Sequence, residues 1–281
     1  MSNVSEGPGV PRFDSTPIAV FTALAWESAA VRAVLRRVKR EGEWVWRGST
    51  GRQEVVIITG GIGPRRTRQA LERCADLPLS AVLSIGCAGA LVPDLTTGQL
   101  ILAPDVRMWS PEAETRLDRF PVDPTLLVHT RTAASQAAVP IAEGSLFTSA
   151  RVLFTPEDKA EQGKMTGAIA VEMESGVHAS FAAARGLPFL VLRVILDPVG
   201  MALPVIKGLT TPEGDIRPVK TVTHVITHPH HLPMLLELKR ARATAAQAIT
   251  KLCHVLFPLL EKGEGLESQG NAGVYPSTRR S

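Results

Sequence analysis

Cysteine is scarce in this chain of 281 residues, with three thiols at Cys74, Cys87 and Cys253. An odd number excludes a fully paired disulfide framework, and their spacing fits no metal-ligand pattern. Three reduced thiols are expected, as in a cytosolic protein. Aromatic residues make up only 5% and include a single tyrosine. No basic run is interleaved with aromatics, which argues against nucleic-acid recognition by base stacking. Long apolar runs are missing too. Arg193 interrupts the most apolar one, so no stretch of some 18 apolar residues stands out as a membrane span. Residues 1–14 are polar with Gly and Pro and carry no apolar secretory core. No internal repeat is found.

What is present suffices for a large core. At 44% hydrophobic and 21% charged, the chain can bury one large α/β domain. No linker divides the middle, so residues 16–260 are read as one domain, with residues 1–15 and the Gly-, Ser- and charge-rich residues 261–281 as disordered ends. The net charge of +4 permits nucleic acid or an anionic membrane surface as partner and does not choose between them.

Hydrophobic periodicity gives an element order. Ile18 to Leu24 reads as a strand, followed by a helix carrying Val31, Val34, Leu35 and Val38. Glu43 to Arg47 reads as an edge hairpin strand, Val55 to Thr59 as a buried strand, Arg65 to Cys74 as a helix and Ala81 to Gly86 as a central strand. Gln99 to Val106 and Gly144 to Leu146 are further strands, with a helix at Asp123 to Val128 between them and a charged surface helix at Glu157 to Lys164. The Pro- and Gly-rich Pro198 to Pro218 is too long for a turn and is read as a lid or binding loop. Leu232 to Leu260 forms one long helix with an apolar stripe.

The candidate chemistry lies at two strand ends. Ala168-Ile169-Ala170-Val171 runs into Glu172-Met173-Glu174-Ser175, and Pro188 to Leu196 runs into Asp197. Carboxyl groups beside buried apolar segments are costly unless paired or employed. Strand, carboxylates, helix, strand and carboxylate make a βαβ unit with its chemistry at the carboxyl edge of the sheet. His224, His228, His230 and His231 have no ligand-like spacing, and Pro229 breaks any helix through them, so no metal is assigned.

These residues resemble the purine nucleoside phosphorylase and methylthioadenosine nucleosidase superfamily. Val171-Glu172-Met173-Glu174 and the Arg193 to Asp197 ending are similar to its motifs. So are Thr59-Gly60-Gly61-Ile62-Gly63 and Ser84-Ile85-Gly86-Cys87-Ala88-Gly89-Ala90-Leu91 with the strand after it. The resemblance covers about Ile18 to Pro198 and implies a single-domain three-layer α/β sandwich, a mixed central sheet flanked by helices. It implies cleavage of a purine N-glycosidic bond with Asp197 as the acid on the base and Glu174 on the ribose hydroxyls. Met173 would pack under the nucleoside, Glu172 would bind substrate or serve as a helix N-terminal carboxylate, and Gly86, Cys87, Ala88 and Gly89 would let the backbone approach the ligand closely, the alternative being an ordinary tight turn. Glu27 stands where the hydrolytic branch carries the base that activates water.

Within the superfamily, Glu172 to Ser175, Leu196-Asp197-Pro198, Gly214 to Pro218 and His228 to Leu236 look like the hopanoid-associated phosphorylase group. That resemblance implies adenine release from adenosylhopane, no cofactor, phosphate as co-substrate, a cytoplasmic site at the inner membrane face with peripheral membrane contact, and a homo-oligomer. Trp44, Trp46 and Trp109, read as exposed, are the interface candidates. Phosphorolysis stands narrowly first. Glu27, and Ser84 where an arginine is expected, speak for water, while Arg65 and Arg66 offer a substitute anion site at a helix N-terminus. The alternatives are a methylthioadenosine, adenosylhomocysteine or futalosine nucleosidase, and a non-catalytic nucleoside-binding protein on the same fold.

Overall fold

A computed structural model describes residues 16–110, 113–201 and 232–262. The elements in chain order are β1 Ile18–Thr22, α1 Ala25–Arg32, β2 Arg36–Arg40, β3 Val45–Thr50, β4 Gln53–Thr59, α2 Pro64–Glu72 and β5 Ala81–Ala90. There follow β6 Leu100–Leu102, β7 Asp105–Ser110, β8 Ala113–Pro121, α3 Pro124–Gln136, β9 Ile141–Glu143 and β10 Leu146–Thr148. The last are α4 Pro156–Thr166, β11 Ala170–Glu172, α5 Ser175–Ala184, β12 Phe189–Asp197 and the long α6 Leu232–Lys262.

The strands form one mixed sheet in the order β2-β3-β4-β1-β5-β11-β10-β7-β8, which forks at β5 because β12 also pairs with β5 and continues to β6 and β9. The fork follows from the length of β5. Val82 to Gly89 run parallel to β12, while Gly89 and Ala90 pair antiparallel with β11. The central strands are apolar almost throughout, as strands covered on both faces must be: every residue of β1 is buried, and so are Glu54 to Thr59 of β4. Helices α1 and α3 pack on α6, α2 packs on α5, and the sheet lies between, which is the three-layer α/β arrangement expected from the sequence.

Several elements depart from the sequence reading. The first helix stops at Arg32, and its predicted continuation through Val34, Leu35 and Val38 leads into strand β2 instead. Helical spacing of apolar residues is satisfied there, yet Arg37 takes φ 53° and β2 pairs antiparallel with β3. Tertiary pairing overrides a short periodic pattern. Consequently β3 is an interior strand between β2 and β4, and the edge belongs to β2. The third central strand does not end at Gly86 but runs to Ala90. Gln99 to Val106 divides into β6 and the start of β7, and β8 lies where the sequence reading assigns no element; its Arg116, Asp118 and Arg119 hide the alternation. The expected short helix extends to Gln136, capped by the Asp123 carboxylate on the amide of Leu126.

The segment read as a lid or binding loop, Pro198 to Pro218, is described only as far as Met201. Its remainder, the motif from Gly214 to Pro218 and the four histidines from His224 to His231 lie outside the described residues, as do residues 1–15 and 263–281.

Trp44, Trp46 and Trp109 are half-buried rather than exposed. The Arg32 guanidinium covers Trp46 at 4.0 Å, and Trp109 meets Phe147 edge to face at 6.4 Å. Cys74 and Cys253 are buried free thiols and Cys87 is a half-buried one. By length and composition, Leu236–Glu261 of α6 is apolar enough to span a membrane, although Lys239, Arg240, Arg242 and Lys251 keep it from being an unbroken apolar run. Its Ala245, Ile249, Leu252, Cys253 and Leu256 are nonetheless packed in the protein core. Leu252, at 1% exposure, is therefore expected to carry a large-to-small cost: Leu252→Ala should lower unfolding stability by about 2–5 kcal/mol, read from urea midpoints.

Candidate active site

The site is assembled where β1, β4, β5, β11 and β12 end. Parallel pairing sets Arg193 of β12 opposite Gly86 of β5, and an irregularity after Ile195 sets Asp197 opposite Gly89. Both glycines make room for these side chains. A Cβ on Gly86 would collide with Arg193 Nη1 and lie 2.8 Å from Glu27 Oε1, and one on Gly89 would lie 2.8 Å from Asp197 Oδ2. The Gly86 to Gly89 stretch is thus strand and not an ordinary tight turn, and the close approach it permits is first of all to the protein's own charged groups.

A cavity of about 200 Å³ opens above this layer. Glu27, Glu172, Met173, Glu174 and Asp197 line it together with Cys87, Ala88 and Gly89, while Gly86 lies beside Arg193 and Glu27 and is not on the lining. Residues far apart in sequence therefore meet. Ile62 and Val152, on the lining, are among the large apolar side chains most open to solvent, at 36% and 38% exposure. Arg65 and Arg66 do not line this cavity but the adjoining one, which shares Ile62 and Met173 with it.

Each carboxylate has a distinct setting. Glu27, 1% exposed, accepts the amides of Ala23 and Leu24 on Oε2 at 3.0 Å and that of Cys87 on Oε1 at 2.9 Å. Backbone donors fix it at the head of α1. Glu172 accepts the amides of Glu174 and Ser175 at 2.9 and 2.7 Å, the Thr148 hydroxyl, and Arg193 Nη2 at 2.7 Å. It serves as the carboxylate at the N-terminus of α5 as well as lining the cavity.

Glu174 accepts the Gly63 amide at 2.8 Å and stands 3.6 Å from Arg193 Nη2. Burial, helped by the neighbouring Glu172 charge, pushes its carboxyl up to about 8 against the opposing pull of Arg193 and the Gly63 amide. Asp197 is likewise raised, by burial first; Lys159 opposes the shift, its Nζ donating to Asp197 Oδ2 at 2.6 Å. Burial and the Glu27 charge hold the Cys87 thiol well above its ordinary value, so it is a poor nucleophile.

Three groups carry no role in the sequence reading and prove to belong to the site or to the layer beneath it. Arg193 is only 1% exposed and donates to the hydroxyls of Ser84 and Ser175 at 3.0 and 2.8 Å as well as to Glu172. Ser84, where the resemblance implies an arginine, also meets Nδ1 of the second group, His178, at 2.9 Å, and His178 stacks on Phe21 at 4.7 Å. Burial and Arg193 keep that imidazole neutral. A charged residue inside an apolar strand was the available signal for Arg193. The third, Lys159, gave none: it sits in α4, the expected surface helix, yet is 1% exposed.

A family model described as the phosphorylase superfamily matches residues 17–206. The chain belongs to that superfamily. This phosphorylase-superfamily chain is 25% identical over 220 residues to the 5'-methylthioadenosine/S-adenosylhomocysteine nucleosidase of Mycobacterium bovis, covering 65% of this chain and 86% of that one. The Mycobacterium tuberculosis nucleosidase of the same name matches equally. Among solved structures, the Neisseria meningitidis 5'-methylthioadenosine/S-adenosylhomocysteine nucleosidase in complex with methylthio-immucillin-A matches with a TM-score of 0.63 at 20% identity, covering 85% of this chain and 99% of that one. Native futalosine hydrolase of Helicobacter pylori matches with a TM-score of 0.63 at 18% identity, covering 84% and 97%. These structural likenesses show the shared fold.

The raised Glu174 carboxyl has a consequence for stability. Between the ordinary value of 4.5 and about 8, the unfolded chain has lost this proton while the folded protein keeps it. The native state then binds more protons, so stability falls as pH rises through that window. Glu174→Gln retains an oxygen for the Gly63 amide but cannot ionise. Its urea midpoint is expected to fall less than that of the wild type between about pH 5 and pH 8, the window the shift defines.

Proposed function

We propose that this protein releases adenine from a 5′-substituted adenosine by cleaving its N-glycosidic bond. The observation that carries the reading is the convergence of Glu27, Glu174 and Asp197 on one cavity that Met173 also lines. The departing base takes up electrons and the sugar becomes cationic, so a proton donor on one side and carboxyl oxygens on the other suit the transition state. Burial raises the Asp197 pKa, the direction that an acid protonating the base requires. Glu174, fixed by the Gly63 amide, has remaining lone pairs for the ribose hydroxyls.

For the nucleophile, the geometry favours water. Glu27 is held by three backbone amides with its carboxylate on the cavity, suited to accept a proton from water at the sugar. The nucleosidase relatives support the same choice. Phosphorolysis, which would make the protein a pentosyltransferase, is the second reading. What favours it is the pair Arg65 and Arg66 on the adjoining cavity that shares Met173.

For the 5′ substituent, the exposed apolar side chains of Ile62 and Val152 fit a hydrocarbon group emerging toward solvent, as adenosylhopane would present. Burial of such a group contributes roughly 25 cal/mol per Å². A cytoplasmic enzyme in contact with the inner membrane face, self-associated and working without a cofactor, accords with this substrate. Methylthioadenosine, adenosylhomocysteine and futalosine are the alternatives.

Purified protein is expected to release adenine from adenosylhopane in detergent with a higher kcat/KM than from methylthioadenosine, and to do so equally well without phosphate. Loss of that activity in Glu27→Gln accompanies hydrolysis, whereas a strict phosphate requirement assigns phosphorolysis. Preference for methylthioadenosine removes the hopanoid reading. Asp197→Asn should lower kcat by about a hundred- to ten-thousand-fold while still binding an adenosine analogue. Binding without turnover by the wild type would leave only a nucleoside-binding protein. Light scattering is expected to give a mass above that of one chain.

A further inference from the structure

Lys159 is a buried charged group that the reaction described so far does not use. It lies in α4, whose neighbouring Glu157, Lys164 and Met165 are exposed, yet its own side chain is 1% exposed. The ammonium has three N–H donors and three acceptors: Asp197 Oδ2 at 2.6 Å, the Pro198 carbonyl at 3.2 Å and the Met201 carbonyl at 2.8 Å. Its donor capacity is spent entirely on the end of β12 and the residues after it. Lys159 is also the one side chain among the described residues that bonds the Asp197 carboxyl.

A buried ammonium is expensive to desolvate, and an apolar side chain would fill the same space without that cost. We propose that Lys159 is a positioning residue for Asp197: its ammonium occupies Oδ2, leaves the second oxygen to carry the proton toward the base, and meets the carboxylate charge that the transfer creates. The inference rests on Asp197 being the acid. In the step itself, the Asp197 proton passes to a ring nitrogen of the base as the electron pair of the C–N bond moves into the base. Water adds to the sugar carbon and yields its proton to Glu27. Asp197 is left anionic 2.6 Å from a cation already in place, so little reorganisation is needed as the charge forms.

The other charged or titratable groups on the cavity are Glu27 of α1, Cys87 of β5, Arg151 ahead of α4, Glu172 of β11 and Glu174 at the head of α5. Of the pairings described around the cavity, Lys159 alone sets a cation on Asp197; Arg193 serves Glu172 and Glu174. Removing the lysine charge therefore takes away the main opposition to the upward shift that burial imposes on Asp197. The acid then keeps its proton to higher pH.

The test is a double-mutant cycle with Lys159→Met and Asp197→Asn, following adenine release from methylthioadenosine and from adenosylhopane across pH, with circular dichroism to confirm folding. Lys159→Gln, which keeps polarity without charge, is measured in parallel. Lys159→Met and Lys159→Gln are expected to lower kcat by about a hundred-fold, change KM little, and move the alkaline limb of the kcat profile to higher pH. In the Asp197→Asn background they should lower the rate no further. An alkaline limb that stays in place, or losses that multiply with that of Asp197→Asn, would overturn the role of Lys159 and leave Asp197 as the acid. Wild-type turnover by Asp197→Asn overturns the acid assignment itself.

Discussion

The head of α5 and the polar layer beneath the cavity are arranged around the ion pair between Arg193 and Glu172. Both side chains are 1% exposed and meet at 2.7 Å, and neither would be tolerable there alone, because an unpaired buried charge is among the most destabilising defects a fold can carry. The pair fixes more than itself. Glu172 also gathers the amides of Glu174 and Ser175, so the start of α5 is tied to a cation projecting from β12. Glu174 inherits its position from that tie.

The space for the pair comes from glycine. Gly86 faces Arg193 across neighbouring parallel strands, and a larger residue there would run into the guanidinium and Glu27. Two apolar strands that would otherwise pack as an uninterrupted sheet are thereby made to hold a polar layer beneath the cavity. Ser84, Ser175 and His178 complete that layer with hydrogen bonds, which lets polar groups remain in an interior otherwise composed largely of Val, Ile, Leu and Ala. The neutral His178 closes it against Phe21 without adding charge.

How far the sequence conveys this depends on whether a signal is local. Glu172, Glu174 and Asp197 can be read because each follows an apolar run, a place where an isolated carboxyl is conspicuous. The order of most strands and helices around them follows from periodicity in the same way. The α1 to β2 transition does not, since Val34, Leu35 and Val38 satisfy helical spacing and only pairing with β3 decides otherwise. Strand β8 is hidden by its charges. Lys159 is the extreme case: within Pro156–Thr166 it looks like any solvated lysine, and its burial depends on where β12 ends, 38 residues later in the chain.

The outermost strand bears on how copies of this protein can meet. In β2, Arg36, Arg37, Lys39 and Arg40 are cationic, and Arg36, Lys39 and Arg40 stand opposite residues of β3. Its other edge thus carries an electrostatic fence: a second β2 laid alongside would set cation against cation, and like charges on adjacent strands repel. Continuation of the sheet from one β2 into another is opposed at this border. The same arginines that look like an invitation to anions in the bare composition act here as a limit on the growth of the sheet.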